Sequence, residues 1–327
     1  MVGLGTEITH FSAIETDGAA REHGRPVKPA YGFDPFCCNG RRWKSCNYPL
    51  LLVKNHPVDI VRPKKSLGQH FLGDRNIARK IVSSLTFKDY EQVLEIGPGT
   101  GILTEYLLSE KKIRLRCIEI DRASVAYLAE KYPGLGDRII TGDVLDLDLA
   151  GLYSSPFAII GNLPNNISSQ IFFRILQYRY LVREVVCMVQ KEVAERIVTP
   201  PGSKTYGILS VLLQTFYTVE HLFKVSPSVF IPPPKVNSSV IRLRRNEREE
   251  LGCDENLYFK VVKTAFNQRR KTLRNALKPL GAEKGISGEL VHLRPEQLHV
   301  DDFIRLAASI GKVLAIPVQF PEDSKYS

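Results

Sequence analysis

Gln92-Val-Leu-Glu-Ile-Gly97-Pro-Gly99-Thr-Gly101 runs a short apolar stretch into three glycines at alternate positions. Ile102, Leu103, Tyr106 and Leu107 then recur at helical spacing, so the segment reads as strand, tight turn and helix. Working outward, Ile113 to Ile120 (IRLRCIEI) reads as a second strand and Ala123 to Lys131 as a helix. Arg138 to Ile140 and Phe157 to Ile160 are the third and fourth strands, Ile167 to Leu176 a helix, and Glu184 to Val189 a fifth strand. Strands alternating with helices imply a parallel α/β sheet. Tyr217 to Val225 and Val236 to Leu243 read as a closing strand pair. Beyond about residue 246 the strand pattern stops, and Asn256 to Phe266, Lys271 to Leu280 and Asp301 to Leu314 carry helical periodicity. The expected division is an α/β domain over 61–246, a small all-helical C-terminal domain over 247–314 and a polar tail over 315–327.

The first sixty residues differ in kind. They scatter Gly, Pro, His and Cys without a sustained period and balance 7 Lys+Arg against 6 Asp+Glu. Glu7, Glu15, Asp17 and Glu22 argue against a transit peptide, and no apolar stretch makes a secretory signal. The expectation for 1–60 is a disordered extension or a mis-called start. Only Met1 and Met188 occur, so a start near Val58 would need a non-AUG codon.

Composition limits the partners. The 327 residues hold 45 Lys+Arg and 35 Asp+Glu, a net charge of +10, with 43% hydrophobic residues, enough for a packed core. No apolar run reaches the ~18 residues of a membrane span. The charge is concentrated: residues 61–90 hold 7 basic and 2 acidic residues, and residues 241–280 hold 11 and 5. In the second segment a helix would carry Arg270 and Arg274 on one face, with Arg269 and Lys271 nearby and Phe266, Leu273 and Leu277 on the buried side. Such a patch suits phosphates of a nucleic acid. The six cysteines have no Cys-x-x-Cys or Cys/His spacing for zinc, so no metal is expected, and they read as reduced thiols of a cytoplasmic protein.

Glycines at alternate positions let a ligand approach the main chain, although a glycine turn opening a βαβ unit also marks dinucleotide sites. Three acids accompany it: Glu95 in the first strand, Glu119 at the end of the second, 22 residues after Gly97, and Asp143 after the third, in Thr-Gly-Asp-Val. Ligands of open α/β sheets bind at the carboxyl ends of the strands, where Glu119 is placed to accept from ribose hydroxyls and Asp143 from an adenine amino group. The fourth strand delivers Gly161-Asn162-Leu163-Pro164-Asn165-Asn166 to the same edge.

That loop resembles the Asn-[Pro/Leu]-Pro-[Tyr/Phe] loop of methyltransferases acting on exocyclic amino groups. With Lys65-Ser-Leu-Gly-Gln-His-Phe-Leu72, Gln190-Lys-Glu-Val-Ala-Glu-Arg196, Val229-Phe-Ile-Pro-Pro-Pro-Lys-Val236 and Phe266-Asn-Gln-Arg-Arg-Lys-Thr-Leu-Arg274, the chain over roughly 62–312 is similar to the KsgA-type ribosomal RNA adenine dimethyltransferases. The resemblance implies a Rossmann-like sheet that uses S-adenosylmethionine as methyl donor. It implies N6,N6-dimethylation of two adjacent adenosines near the 3′ end of small-subunit (16S) rRNA in a ribosomal assembly intermediate. A monomer is the simplest expectation for a protein that docks onto so large a particle, and no membrane is expected as a partner. By the same resemblance His70, Leu72, Gly97, Glu119, Asp143 and Asn162 would contact the donor, and Asn162, Leu163 and Pro164 would form the catalytic loop. Asn165, Phe230, Arg269, Arg270, Lys271 and Arg274 would contact RNA.

One position departs. The family's loop ends in an aromatic that stacks on the target adenine, and position 165 here is Asn. A ribosome-assembly or RNA-binding factor with weakened or lost catalysis is therefore the alternative reading. A large-subunit RNA enzyme is a third, disfavoured by the Ile-Pro-Pro-Pro-Lys and Phe-Asn-Gln-Arg-Arg-Lys segments.

Overall fold

The computed structural model describes residues 61–281, 285–286 and 288–315. The expectations for 1–60, and for the tail from 316 onward, lie outside the described residues. A short 3₁₀ turn (Lys65–Leu67) leads into strand β1 (Phe71–Leu72) and helix α1 (Arg75–Val82), whose N-cap Asp74 accepts from the Asn76 and Ile77 amides. Then come β2 (Gln92–Ile96), α2 (Ile102–Ser109), β3 (Arg114–Glu119), α3 (Arg122–Lys131), β4 (Ile139–Thr141), the single turn α4 (Leu149–Leu152), β5 (Phe157–Asn162), α5 (Ser168–Gln177) and β6 (Val182–Gln190). Two helices follow, α6 (Lys191–Val198) and α7 (Ile208–Phe216), before β7 (Tyr217–Val225), the two-residue β8 (Phe230–Ile231) and β9 (Ser238–Arg245). Helices α8 (Glu255–Asn267), α9 (Leu273–Ala276) and α10 (Val300–Val313) complete the order.

Seven strands form one sheet in the order β4-β3-β2-β5-β6-β9-β7. β4 through β6 are mutually parallel, and β9 and β7 close the sheet antiparallel, which bears out the α/β reading with its terminal strand pair. β1 and β8 pair apart from it. Adjacent residues of a strand face opposite sides, so Phe157 and Ile159 pack with α5, α7, α8 and α10, while Ala158 and Ile160 pack with α1 and α2. Gly161 is dictated by the same packing, since a β-carbon there would collide with the Ile96 carbonyl oxygen on the neighbouring strand.

The helical segment has its own exposed joint. Residues 271–280 do not form the single helix that their spacing suggests. The chain turns at Gln268, where the Lys271 amide bonds the Gln268 carbonyl, and the Leu273 amide is taken by the Leu293 carbonyl. Pro279 then lacks the donor that a continuing helix would use. Only Leu273–Ala276 is α-helical, followed by a 3₁₀ turn at Lys278–Leu280. Arg269, Arg270 and Lys271 therefore sit in the turn between α8 and α9 and not on a helix face. Among the described residues no helix is long and apolar enough to cross a membrane, and Cys117, Cys187 and Cys253 are free and buried.

Candidate active site

The carboxyl ends of β2, β3, β4 and β5 meet at a cleft. The turn after β2 forms one wall. Gly97 and Gly99 have φ of +66° and +55°, in the left-handed region that glycine tolerates, and a β-carbon on Gly99 would stand 2.8 Å from the Phe71 ring. The turn thus leaves the Gly97 backbone open to the cleft, while Phe71 packs over Gly99. Phe71 is a lining residue that the motif Gln69-His-Phe-Leu contains but that the sequence does not single out.

Glu119 ends β3 and is 4% exposed. Its Oε2 accepts from the Gly99 amide at 3.1 Å and its Oε1 from the Asp121 amide at 2.9 Å. These bonds fix the carboxylate against the glycine turn and leave lone pairs on both oxygens, because a carboxylate accepts about four bonds. Burial is the largest influence on its proton affinity and raises its pKa. Asp143 follows β4 and accepts from the Leu145 amide at 2.9 Å. Both carboxylates line the cleft. Glu95 does not: it points to the α2 side, 1% exposed, where Thr104 Oγ1 donates to its Oε2 at 2.6 Å. The third acid of the sequence pattern is thus a buried support beneath the turn.

β5 delivers Asn162, Leu163, Pro164 and Asn165 to the opposite wall, and all four line the cleft. The Leu163 amide donates to the Met188 carbonyl on β6 at 3.0 Å, tying the loop to the sheet. Asn162 Nδ2 donates to the His70 main-chain oxygen at 2.9 Å. His70 Nδ1 lies 2.8 Å from the Pro232 carbonyl oxygen; a carbonyl only accepts, so Nδ1 carries the hydrogen. The Gly73 amide donates to the Val229 carbonyl at 2.7 Å, and β1 pairs with β8 through Phe71–Ile231 and Leu72–Phe230. The N-terminal segment and the proline-rich segment are therefore one paired rim over the cleft.

Of the residues predicted from sequence, His70, Gly97, Glu119, Asp143, Asn162, Leu163, Pro164, Asn165 and Phe230 come together around this one cleft. Leu72 does not line it and packs beneath, in the core beside Phe230. Arg269, Arg270, Lys271 and Arg274 lie apart from it. Arg269 donates to the Ser203 carbonyl at 2.9 Å and pairs with Glu296 at 3.7 Å, so it is partly a structural cation, while Arg270, Lys271 and Arg274 are exposed. No group of His, Cys, Asp and Glu suited to a metal occurs among the described residues.

The arrangement suits a nucleoside. Buried carboxylates at the ends of β3 and β4 offer acceptors to ribose hydroxyls and an amino group, and the glycine backbone admits a ligand that a side chain would exclude. S-adenosylmethionine has these features, and the residues present fit it.

Known proteins resemble this chain over most of its length. A family model described as Ribosomal RNA adenine dimethylase matches residues 60–302. The chain is 51% identical over 266 residues to the Ribosomal RNA small subunit methyltransferase A of Bacteroides fragilis, covering 80% of this chain and 97% of that protein. It is 55% identical over 255 residues to the protein of the same name from Flavobacterium johnsoniae, covering 77% and 97%. Among solved structures, a dimethyladenosine transferase from Plasmodium falciparum superposes with a TM-score of 0.62 at 25% identity, over 72% of this chain and 96% of that one. An S-adenosylmethionine-dependent methyltransferase sheet, a strand-end cleft and matches of this extent place the chain in the ribosomal RNA adenine dimethylase family.

Proposed function

We propose that the protein transfers methyl groups from S-adenosylmethionine to N6 of two adjacent adenosines near the 3′ end of small-subunit (16S) rRNA, giving N6,N6-dimethyladenosines during small-subunit biogenesis. The observation that carries this reading is the orientation of Asn162, whose amide nitrogen is engaged by the His70 carbonyl, so that its Oδ1 is the atom free to accept. The protein would act in the cytoplasm, as a monomer, on an assembly intermediate in which the target nucleotides are still accessible.

When bound, the donor supplies an electrophilic sulfonium methyl group. Glu119 would hold its ribose, Asp143 its adenine and the Gly97 backbone its amino-acid end, while His70 and Leu72 contribute through the N-terminal segment that covers it. Adenine N6 is a weak nucleophile because its lone pair is delocalised into the ring. Asn162 Oδ1 and the Leu163 main-chain carbonyl accept hydrogen bonds from the amino group, which favours a pyramidal nitrogen with its lone pair directed across the cleft. The N6 proton becomes acidic as the nitrogen is alkylated and passes to water, so the residues need to orient more than to abstract. Orientation and fixed dipoles supply the acceleration. Phe230, buried in the cleft wall, would meet the unstacked base there.

The decisive experiment incubates the purified protein with labelled donor and undermethylated small subunits and maps the label. Two dimethyladenosines near the 3′ end are expected. Retained subunit binding without transfer would overturn the catalytic reading in favour of an assembly factor disabled at Asn165.

A further inference from the structure

Phe230 and Ile231 are consecutive residues of β8 and face opposite ways. Phe230 is inside the cleft wall, whereas Ile231 is 64% exposed, the most exposed large apolar side chain among the described residues. A lone exposed isoleucine on a surface carries no meaning. This one differs in its support and its surroundings. Its backbone is held along one edge by the β1 segment, through pairing with Phe71 and through the His70 and Gly73 bonds to Pro232 and Val229 on either side of it in sequence. Its Cδ1 lies over Gly73, 3.5 Å from where a β-carbon would stand, so the side chain rests on the rim and does not trail in solvent. The apolar surface continues through Pro232 and Pro233 to Val236, which is 40% exposed, and Lys235 is exposed within it.

We infer that Ile231 is a wedge at the cleft mouth, packed against the nucleotide adjacent to the target adenosine on the RNA strand. The inference rests on the adenosine reading given above. A base that reaches Phe230 has left its stack, and its neighbour then exposes a ring face to water. Phe230 and Ile231 lie on the two sides of a single strand, so bases resting on them are separated by a protein backbone and cannot restack. Apolar wedges of Ile, Leu, Phe or Pro are the general means by which proteins hold a base step open. Lys235 supplies a cation for the phosphate between the two bases. The occupant is RNA because the residues of this surface alternate along the chain with Phe230 and Pro234, which line the cleft that takes the target base.

The test compares the parent protein with Ile231→Ala and Ile231→Met on undermethylated small subunits. It reads kcat, KM and donor affinity separately, together with the acylation reactivity of the nucleotides flanking the target in the bound complex. Loss of the wedge is expected to lower kcat/KM by roughly five- to tenfold in Ile231→Ala. Ile231→Met should recover most of it, donor affinity should stay within twofold, and the flanking nucleotide should be less reactive with the Ala variant than with the parent. Unchanged kcat/KM and unchanged reactivity in Ile231→Ala would overturn the wedge. A parallel loss of donor affinity, not recovered by Met, would also overturn it, by showing that Ile231 only supports the rim. If the parent binds subunits but transfers no methyl group, the catalytic reading itself has failed, and the wedge with it; transfer by the parent with an indifferent Ile231→Ala fails the wedge alone.

Discussion

Asn162 Nδ2 donates to the main-chain oxygen of His70 at 2.9 Å, joining residues 92 positions apart across the cleft. That bond decides which end of the amide faces the reaction. With nitrogen committed to His70, Oδ1 is the end left to accept from the proposed target amino group. Asn162→Ala should therefore lower turnover by about a hundredfold, in line with loss of one well-placed polar group at a reacting centre, with subunit binding changed less than threefold. Asn162→Asp has the same shape but sets an acceptor against the His70 carbonyl, and it should lose turnover comparably. Single-turnover transfer and subunit pull-down, measured side by side, check both; equal loss of transfer and binding would contradict the assigned role.

Asn165 lines the cleft where the family resemblance places an aromatic. Stacking of a base on an aromatic ring is worth about 1–3 kcal/mol. Asn165→Tyr should then raise turnover by about tenfold or more, read as kcat on undermethylated small subunits. An unchanged rate would show that Phe230 or the Asn165 amide already holds the base.

The basic turn separates two kinds of arginine. Arg269 is tied to Ser203 and Glu296, whereas Arg270, Lys271 and Arg274 are exposed and make no ion pair among the described residues. Replacing the last three by Gln should weaken subunit binding and flatten its salt dependence by about 0.7–0.9 log units per log unit of salt for each phosphate that is no longer neutralised. Donor affinity and melting temperature should be unchanged. Arg269→Gln is expected to do the reverse, lowering the melting temperature more than the salt slope. Titrations at several ionic strengths, with thermal melts, separate the two.

How far the sequence reaches can be judged from particular segments. Residues 92–96 and 157–160 were legible because an apolar run ends at glycine or asparagine, and strand ends then placed Glu119, Asp143 and Asn162 at one edge. Helix α7 was not legible: Leu209, Ser210, Val211, Leu212, Leu213, Thr215 and Phe216 are all buried, so no polar face marks the 3.6-residue period. The break before α9 depends on the Leu273 amide finding Leu293, a tertiary partner that no local pattern announces. The same holds for the site. Residue types and strand ends identify the cleft's contributors, but the orientation of Asn162 and the His70–Pro232 bond arise from pairing of segments 92 and 162 residues apart. Glu95 shows a limit of the pattern, since it stands beside Glu119 and Asp143 among the motif's acids while its side chain is turned into the core.

Glu95 also gives the protein a pH signature. Burial raises its pKa from an ordinary 4.5 to about 7, outweighing the Thr104 and Cys117 hydrogen bonds that favour the anion. The folded state therefore binds this proton more tightly than the unfolded chain does. The contribution of the protonated carboxyl is fully present below pH 4.5 and is lost as pH rises toward 7, after which it is constant. A displacement of this size corresponds to roughly 3 kcal/mol. Glu95→Gln keeps an oxygen to accept from Thr104 Oγ1 and removes the titration. The difference in unfolding free energy between variant and parent should then grow in favour of the variant between pH 4.5 and 7, and level off above. Urea unfolding of both proteins at half-unit steps from pH 4.5 to 8 measures it, and a difference that does not vary with pH would show that Glu95 ionises in the folded protein as readily as in the unfolded chain.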